Sequence, residues 1–195
     1  MSTATPVSIC SNALLMLGEA PLSSFDDDSD RARLAANLWP TARDYVLRRH
    51  PWNCAIKRLT LNPDVDAPDS DYARKFTLPG DCLRVLSVGQ QYEVVDYRIE
   101  SGKILCDEAT LVLRYIWRNA NTASWDAGLV WGMTLVMRAV FAYSTTQSAS
   151  MEQLVETVLR QVLKEARAVD GTEDRPEPMD DNPLMWARNS QGRAF

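Results

Sequence analysis

Histidine is almost missing: the chain has one in 195 residues, His50. With a single imidazole no HExxH is possible, and no P-loop or GxGxxG turn is present either. These gaps exclude the zinc-protease, P-loop and dinucleotide-fold chemistries. Cysteine is scarce, at four residues, Cys10, Cys54, Cys82 and Cys106. No two stand in a CxxC spacing and each lies in an apolar stretch, so reduced, buried thiols are expected. A zinc site would need ligands from distant segments, and no metal or other cofactor is expected. Long apolar runs are absent too. The most apolar window, residues 127–143, is too short to span a membrane and carries Arg138. Residues 1–6 are polar without a basic stretch, so no signal peptide is expected, and the protein should be soluble and made in the cytoplasm. Positive charge falls short of negative, 21 Lys and Arg against 26 Asp and Glu, for a net charge of −5. A dedicated nucleic-acid binder would show a basic face. A mildly acidic wall repels phosphate and makes a conduit for DNA rather than a grip.

What is present is an ordinary globular composition, with 46% hydrophobic and 24% charged residues. The length suits one domain, or one domain with an inserted subdomain, and a chain of this size buries enough surface to fold without staples. Ile9, Ala13, Leu14 and Leu17 share one helical face over residues 6–17, with Pro6 in the first turn and Gly18 placed to end the helix. A polar connection follows, and residues 26–29 can cap the next helix, where negative charge is favourable. Residues 30–49 predict that helix, with Ala32, Ala35, Ala36, Trp39, Ala42, Val46 and Arg49 on one face. Pro40 predicts a kink within it, and Pro51 ends it at His50.

From Ile56 to Trp117 the period changes. KRLTL, RKFTLP, CLRVLSV, EVVDYRIE, KILCD and TLVLRYIW are short, rich in β-formers and separated by turn residues. Ser101 and Gly102 predict a tight hairpin. Residues 125–146 return to helix, apolar nearly all round, and so should be the most buried one. A last helix carries a stripe from Met151 through Leu154, Val155, Val158, Leu159, Val162 and Ala166 to Val169. After Asp170 the chain turns acidic and Pro-bearing, then ends with an apolar triplet, Leu184, Met185 and Trp186. Either that triplet folds back onto the core, or it is an anchor for a partner.

The fold expected is therefore α+β: an antiparallel four-helix bundle with an inserted antiparallel β-subdomain and an extended C-terminal tail. Its parts are residues 6–52 for two helices, 53–120 for the β insertion, 121–170 for two more helices, and 171–195 for the tail.

The first candidate for chemistry is RRHPWNCA, residues 48–55. His50 and Cys54 are four apart, but Pro51 interrupts any continuous helix through them. No Gly-rich turn or third group flanks Cys54. The stretch reads as a structural corner of His50, Pro51 and Trp52, with Trp52 plugging the seam where helix gives way to strand. Asp26, Asp27, Asp28 and Asp30 lack the central Gly and distal Glu of a calcium loop and read as a solvated helix cap. The six tryptophans are spread over different elements and read as core rather than as stacking platforms. No carboxylates form an interpretable catalytic pair, so an enzyme is not expected.

The ordered set Asn12, Leu17-Gly18-Glu19, Pro21, the acidic connection, His50-Pro51-Trp52 with Ala55, then Leu78 to Val88, Tyr115-Ile116 and Ala166 with Asp170, resembles the tail tubular protein A family. These are head-to-tail adaptors of short-tailed, podovirus-type bacteriophages. The resemblance covers residues 8–170. Cys54 departs from the family pattern, which has an aromatic there. The resemblance implies a structural virion protein that forms a ring, typically of twelve subunits, between the portal protein and a nozzle of tail tubular protein B type. DNA would pass through its lumen without specific binding, and tail fibres or spikes are further possible partners. It implies residence at the head–tail junction, and makes Leu184, Met185 and Trp186 candidate portal anchors. The competing expectation is a tail-associated cell-wall or polysaccharide hydrolase.

Overall fold

The computed structural model describes residues 4–90 and 94–146, and beyond them Gln153, Thr157, residues 160–162, Lys164 and Glu165. Helix α1 spans Pro6–Leu15. Thr5 caps it in a reciprocal box, with its hydroxyl accepting from the Ser8 amide and the Ser8 hydroxyl accepting from the Thr5 amide. The chain leaves α1 through Gly18 at φ +77°, while Gly18 N–H donates to Leu15 and Glu19 N–H to Leu14. This paired closure needs a left-handed residue, which glycine supplies without a Cβ clash.

Helix α2, Asp30–Arg49, is capped by Ser29, whose hydroxyl accepts from the Ala32 amide at 3.2 Å. The helix runs unbroken through Pro40. Pro40 and Ala36, whose carbonyl lacks the usual amide partner, are both exposed, so water can serve that carbonyl. Ala36 thus leaves the buried face on which the periodicity put it. Ala32, Ala35, Trp39, Ala42, Val46 and Leu47 make up that face.

The insertion is two three-stranded sheets. One has the order β1 (Ile56–Leu61), β6 (Leu111–Trp117), β3 (Cys82–Val88); the other β2 (Arg74–Thr77), β5 (Lys103–Cys106), β4 (Arg98–Glu100). Every neighbouring pair is antiparallel. The sequence placed a strand from residue 93 onward, but β4 begins only at Arg98, so Val95 and Tyr97 lie outside it. Ser101 (φ +48°) and Gly102 (φ +74°) close the β4–β5 hairpin, both left-handed as a two-residue primed turn requires. Phe76, Ile104 and Cys106 of the second sheet share one buried cluster with Val88, Leu111, Leu113 and Tyr115 of the first. The opposite face of the first sheet sends Ile116 into the helical core, with Leu83 and Leu86 packed against it.

Helix α3, Ala127–Thr146, packs against both α1 and α2 and contributes Leu129, Met133, Val136, Met137 and Phe141 to that core. It starts two residues later than its composition suggested, because the Asp126 carboxylate accepts from the Leu129 amide at 2.7 Å and caps it there. It is not apolar all round in use: Trp131 is 50% exposed. No described helix is long and apolar enough to cross a membrane. The described residues between 153 and 165 are helical, and Val162 lies close to Gly132 of α3. The rest of the expected last helix, the remainder of its apolar stripe and the tail of residues 171–195 lie outside the described residues.

Candidate functional site

The corner begins at His50, the last-turn residue where α2 gives way to extended backbone (φ −137°, ψ 143°). His50 is buried, and its ring meets Trp52 edge to face at a centroid distance of 4.8 Å. The Trp52 indole N–H donates to the Val46 carbonyl at 3.3 Å, one of the last carbonyls of α2, and the side chain is 1% exposed. A Cβ added to Gly128 would lie 3.7 Å from the Trp52 ring and 3.2 Å from the Asp126 carboxylate, so α3 enters directly beside the indole. Pro51, between His50 and Trp52 in sequence, is only partly buried. Cys54 sits in a single 3-10 turn, Asn53–Ala55, that leads into β1.

The chain returns to the same corner from β6 through Asn119, a residue sequence reasoning missed. Its side-chain amide donates to the Cys54 carbonyl at 2.8 Å and to Ser124 Oγ at 2.9 Å, and its side-chain carbonyl accepts from the Asn121 amide at 3.0 Å. Its backbone carbonyl accepts from the Trp125 indole at 3.2 Å. Trp125 then stacks on Trp39 at 6.1 Å and 12°. The outgoing and incoming strands are thus stapled at one point. The one sequence signal for it is a polar residue between two tryptophans.

Apart from the Cys10 thiol of α1, the described titratable groups with clearly shifted behaviour lie in the β insertion. Burial, the largest single influence on Asp81, pushes its carboxyl up. The hydrogen bond and charge of Lys57, with the Tyr115 hydroxyl, outweigh it, and the carboxyl ends below its ordinary range. Lys57 Nζ is 2.9 Å from Asp81 and sits 3.7 Å over the Trp117 ring. Tyr115 is pushed up to about 12, first by burial and then by the Asp81 charge. Arg118 joins this cluster to the helices, pairing with Asp44 of α2 at 2.7 Å while its amide donates to the Asp81 carbonyl at 2.8 Å. Beside the second sheet, in the connection from β1 to β2, Asp64 is held below its ordinary range chiefly by hydrogen bonds from Lys103 and Thr77.

These arrangements hold elements together. A depressed carboxyl contributes stability above its unfolded value and loses it as pH falls through its folded value. Asp81→Asn is therefore expected to flatten the loss of stability below about pH 4. Urea melts of both proteins across that range check this. Parallel curves would show that Asp81 adds nothing.

The thiols follow burial. Cys10 is pushed up to about 12 by burial, and Cys82 and Cys106 are raised chiefly by the same cause. Such thiols are poor nucleophiles. Among the described residues no group of three His, Cys, Asp or Glu side chains could hold a metal ion. An apolar groove of roughly 920 Å³ lies between α1 and α3, walled by residues that include Leu15, Met16, Trp125, Val130 and Trp131. Trp39, Trp52 and Trp125 are core residues, whereas Trp131 faces this groove. Leu184, Met185 and Trp186 lie outside the described residues. No protein-family model matches the chain, and no curated protein matches it.

Proposed function

We propose that the chain is a subunit of a head-to-tail adaptor ring of a short-tailed bacteriophage, joining the portal to the tail nozzle around a DNA channel. The observation that carries this reading is the order of elements: two helices, a β insertion that leaves and re-enters at one stapled corner, then α3 against both helices. That order supports the arrangement implied by the resemblance over residues 8–170. In this reading the residues after α3 supply the fourth helix of a bundle, and Leu184, Met185 and Trp186 dock on the portal. The ring is a dodecamer in the virion, repeating one heterologous contact around its axis. The acidic balance of the chain suits a lumen through which DNA must slide.

Negative-stain microscopy of the protein mixed with its phage's portal tests the reading, with each alone for comparison. An added ring at one end of the portal is expected. A portal that stays bare beside demonstrably folded protein would reject the adaptor function.

A further inference from the structure

Several cations of the described residues have carboxylate partners. Arg31 pairs with Glu19, Arg43 and Arg118 with Asp44, Lys57 with Asp81, and Lys103 with Asp64. Arg58 and Arg114 are not among them. Arg58 of β1 and Arg114 of β6 are directly opposite in the antiparallel register, so two guanidinium groups share one face of the first sheet. Like charges placed so are destabilising. Arg114 Nε is buried without a hydrogen-bond partner, and no described carboxylate pairs with either arginine. On the same face of β3, Arg84 is opposite Ile116, two residues along β6 from Arg114, and its guanidinium donates to the Arg48 carbonyl at 3.0 Å. Arg48 is exposed in the last turn of α2. Four arginines thus gather where the first sheet meets the C-terminal end of α2.

The other end of α2 is acidic. Asp28 and Asp30 have fully exposed side chains, and among the described residues their ion-pair partner is Arg33, itself 65% exposed. Asp26 is exposed as well. A helix of 20 residues is about 30 Å long, so the two poles are about that far apart. No copy can bring its own poles together, but two copies can.

We propose that Arg48, Arg58, Arg84 and Arg114 receive the acidic run at residues 26–30 of a second copy of this chain. The contact is heterologous, and repetition of it closes a ring or extends a filament. The inference deepens the adaptor reading and rests on it for ring closure. The second copy is favoured over duplex DNA because the acidic partner surface is present on the same chain, and a net charge of −5 opposes approach to phosphate.

Sedimentation velocity of the full-length protein at about 0.05 M and about 0.5 M salt tests it, since screening separates the two conditions. Species larger than the monomer are expected at low salt and monomer at high salt. R58E/R114E and D28K/D30K should each self-associate on the order of a hundredfold more weakly. Their equimolar mixture should associate again, because the reversed faces are complementary. Arg58→Ser alone, at an exposed position, should weaken association should the double variant fail to fold.

Wild-type protein that is monomeric at both salts, reversal variants that associate as wild type does, or a mixture that stays monomeric would each overturn the proposal. So would salt-dependent binding of a labelled duplex that R58E/R114E loses while keeping self-association, which assigns the patch to phosphate. The two readings fail separately. A portal that gains a ring of R58E/R114E subunits removes this contact and keeps the adaptor. A portal left bare by self-associating wild-type protein does the reverse.

Discussion

Replacing Trp52 by alanine is expected to cost about 3–5 kcal/mol of folding stability, the range for truncating a large buried aromatic. Trp52 is 1% exposed and is held on three sides: by the edge of His50, by the Val46 carbonyl that accepts its N–H, and by the Gly128 approach of α3. Its removal opens a void at the point where α2, β1 and α3 converge. It also leaves the Val46 carbonyl without that donor. The rigid staple at Asn119 limits how far the surroundings can collapse into the void, and poor collapse raises the cost. Trp131→Ala is the comparison. At 50% exposure on the groove rim it should cost much less, within about 1 kcal/mol. Urea denaturation of the three proteins measures both. Equal midpoints for wild type and Trp52→Ala would show that the corner is not a packing element.

Deleting residues 171–195 is expected to leave a folded protein that no longer binds the portal. The composition breaks at Asp170, and the segment is acidic and Pro-bearing until Leu184, Met185 and Trp186. A polar segment of this kind gains too little from burial to add much to a core. The two hydrophobic clusters of the described residues draw on residues 4–141. Melting temperature should therefore change little, while portal capture in co-sedimentation falls below detection. Unchanged capture by the truncated chain would remove Leu184, Met185 and Trp186 as anchors. A truncated chain that fails to fold would instead show that the triplet packs on its own core, the other fate its composition permits.

Much of the local structure was legible. Gly18, Ser29 and the Ser101-Gly102 pair end a helix, begin a helix and close a hairpin because each meets a steric or hydrogen-bonding need of its near neighbours. Pro51 ends α2 at His50 by the same kind of local rule. The turn from period 3.6 to period 2 near Ile56 marked the β insertion. Less was legible at the candidate site. Trp52 stood out as a large apolar residue at a helix end, but Asn119 did not, because its hydrogen bonds include partners brought together only by the fold, Cys54 among them.

The sequence by itself determined where α1 starts, where α2 starts and stops, which turn is a hairpin, and that strands intervene between helices. Those are decisions within a few residues, made by φ restriction, capping and side-chain period. Only the tertiary structure decided that six strands divide into two sheets, that Trp131 faces out while Trp39, Trp52 and Trp125 face in, and that Arg58 stands opposite Arg114. Register between distant strands is set by which faces can be buried together across the whole molecule, and a slip of β1 by one residue would turn Arg58 away from the face that holds Arg114.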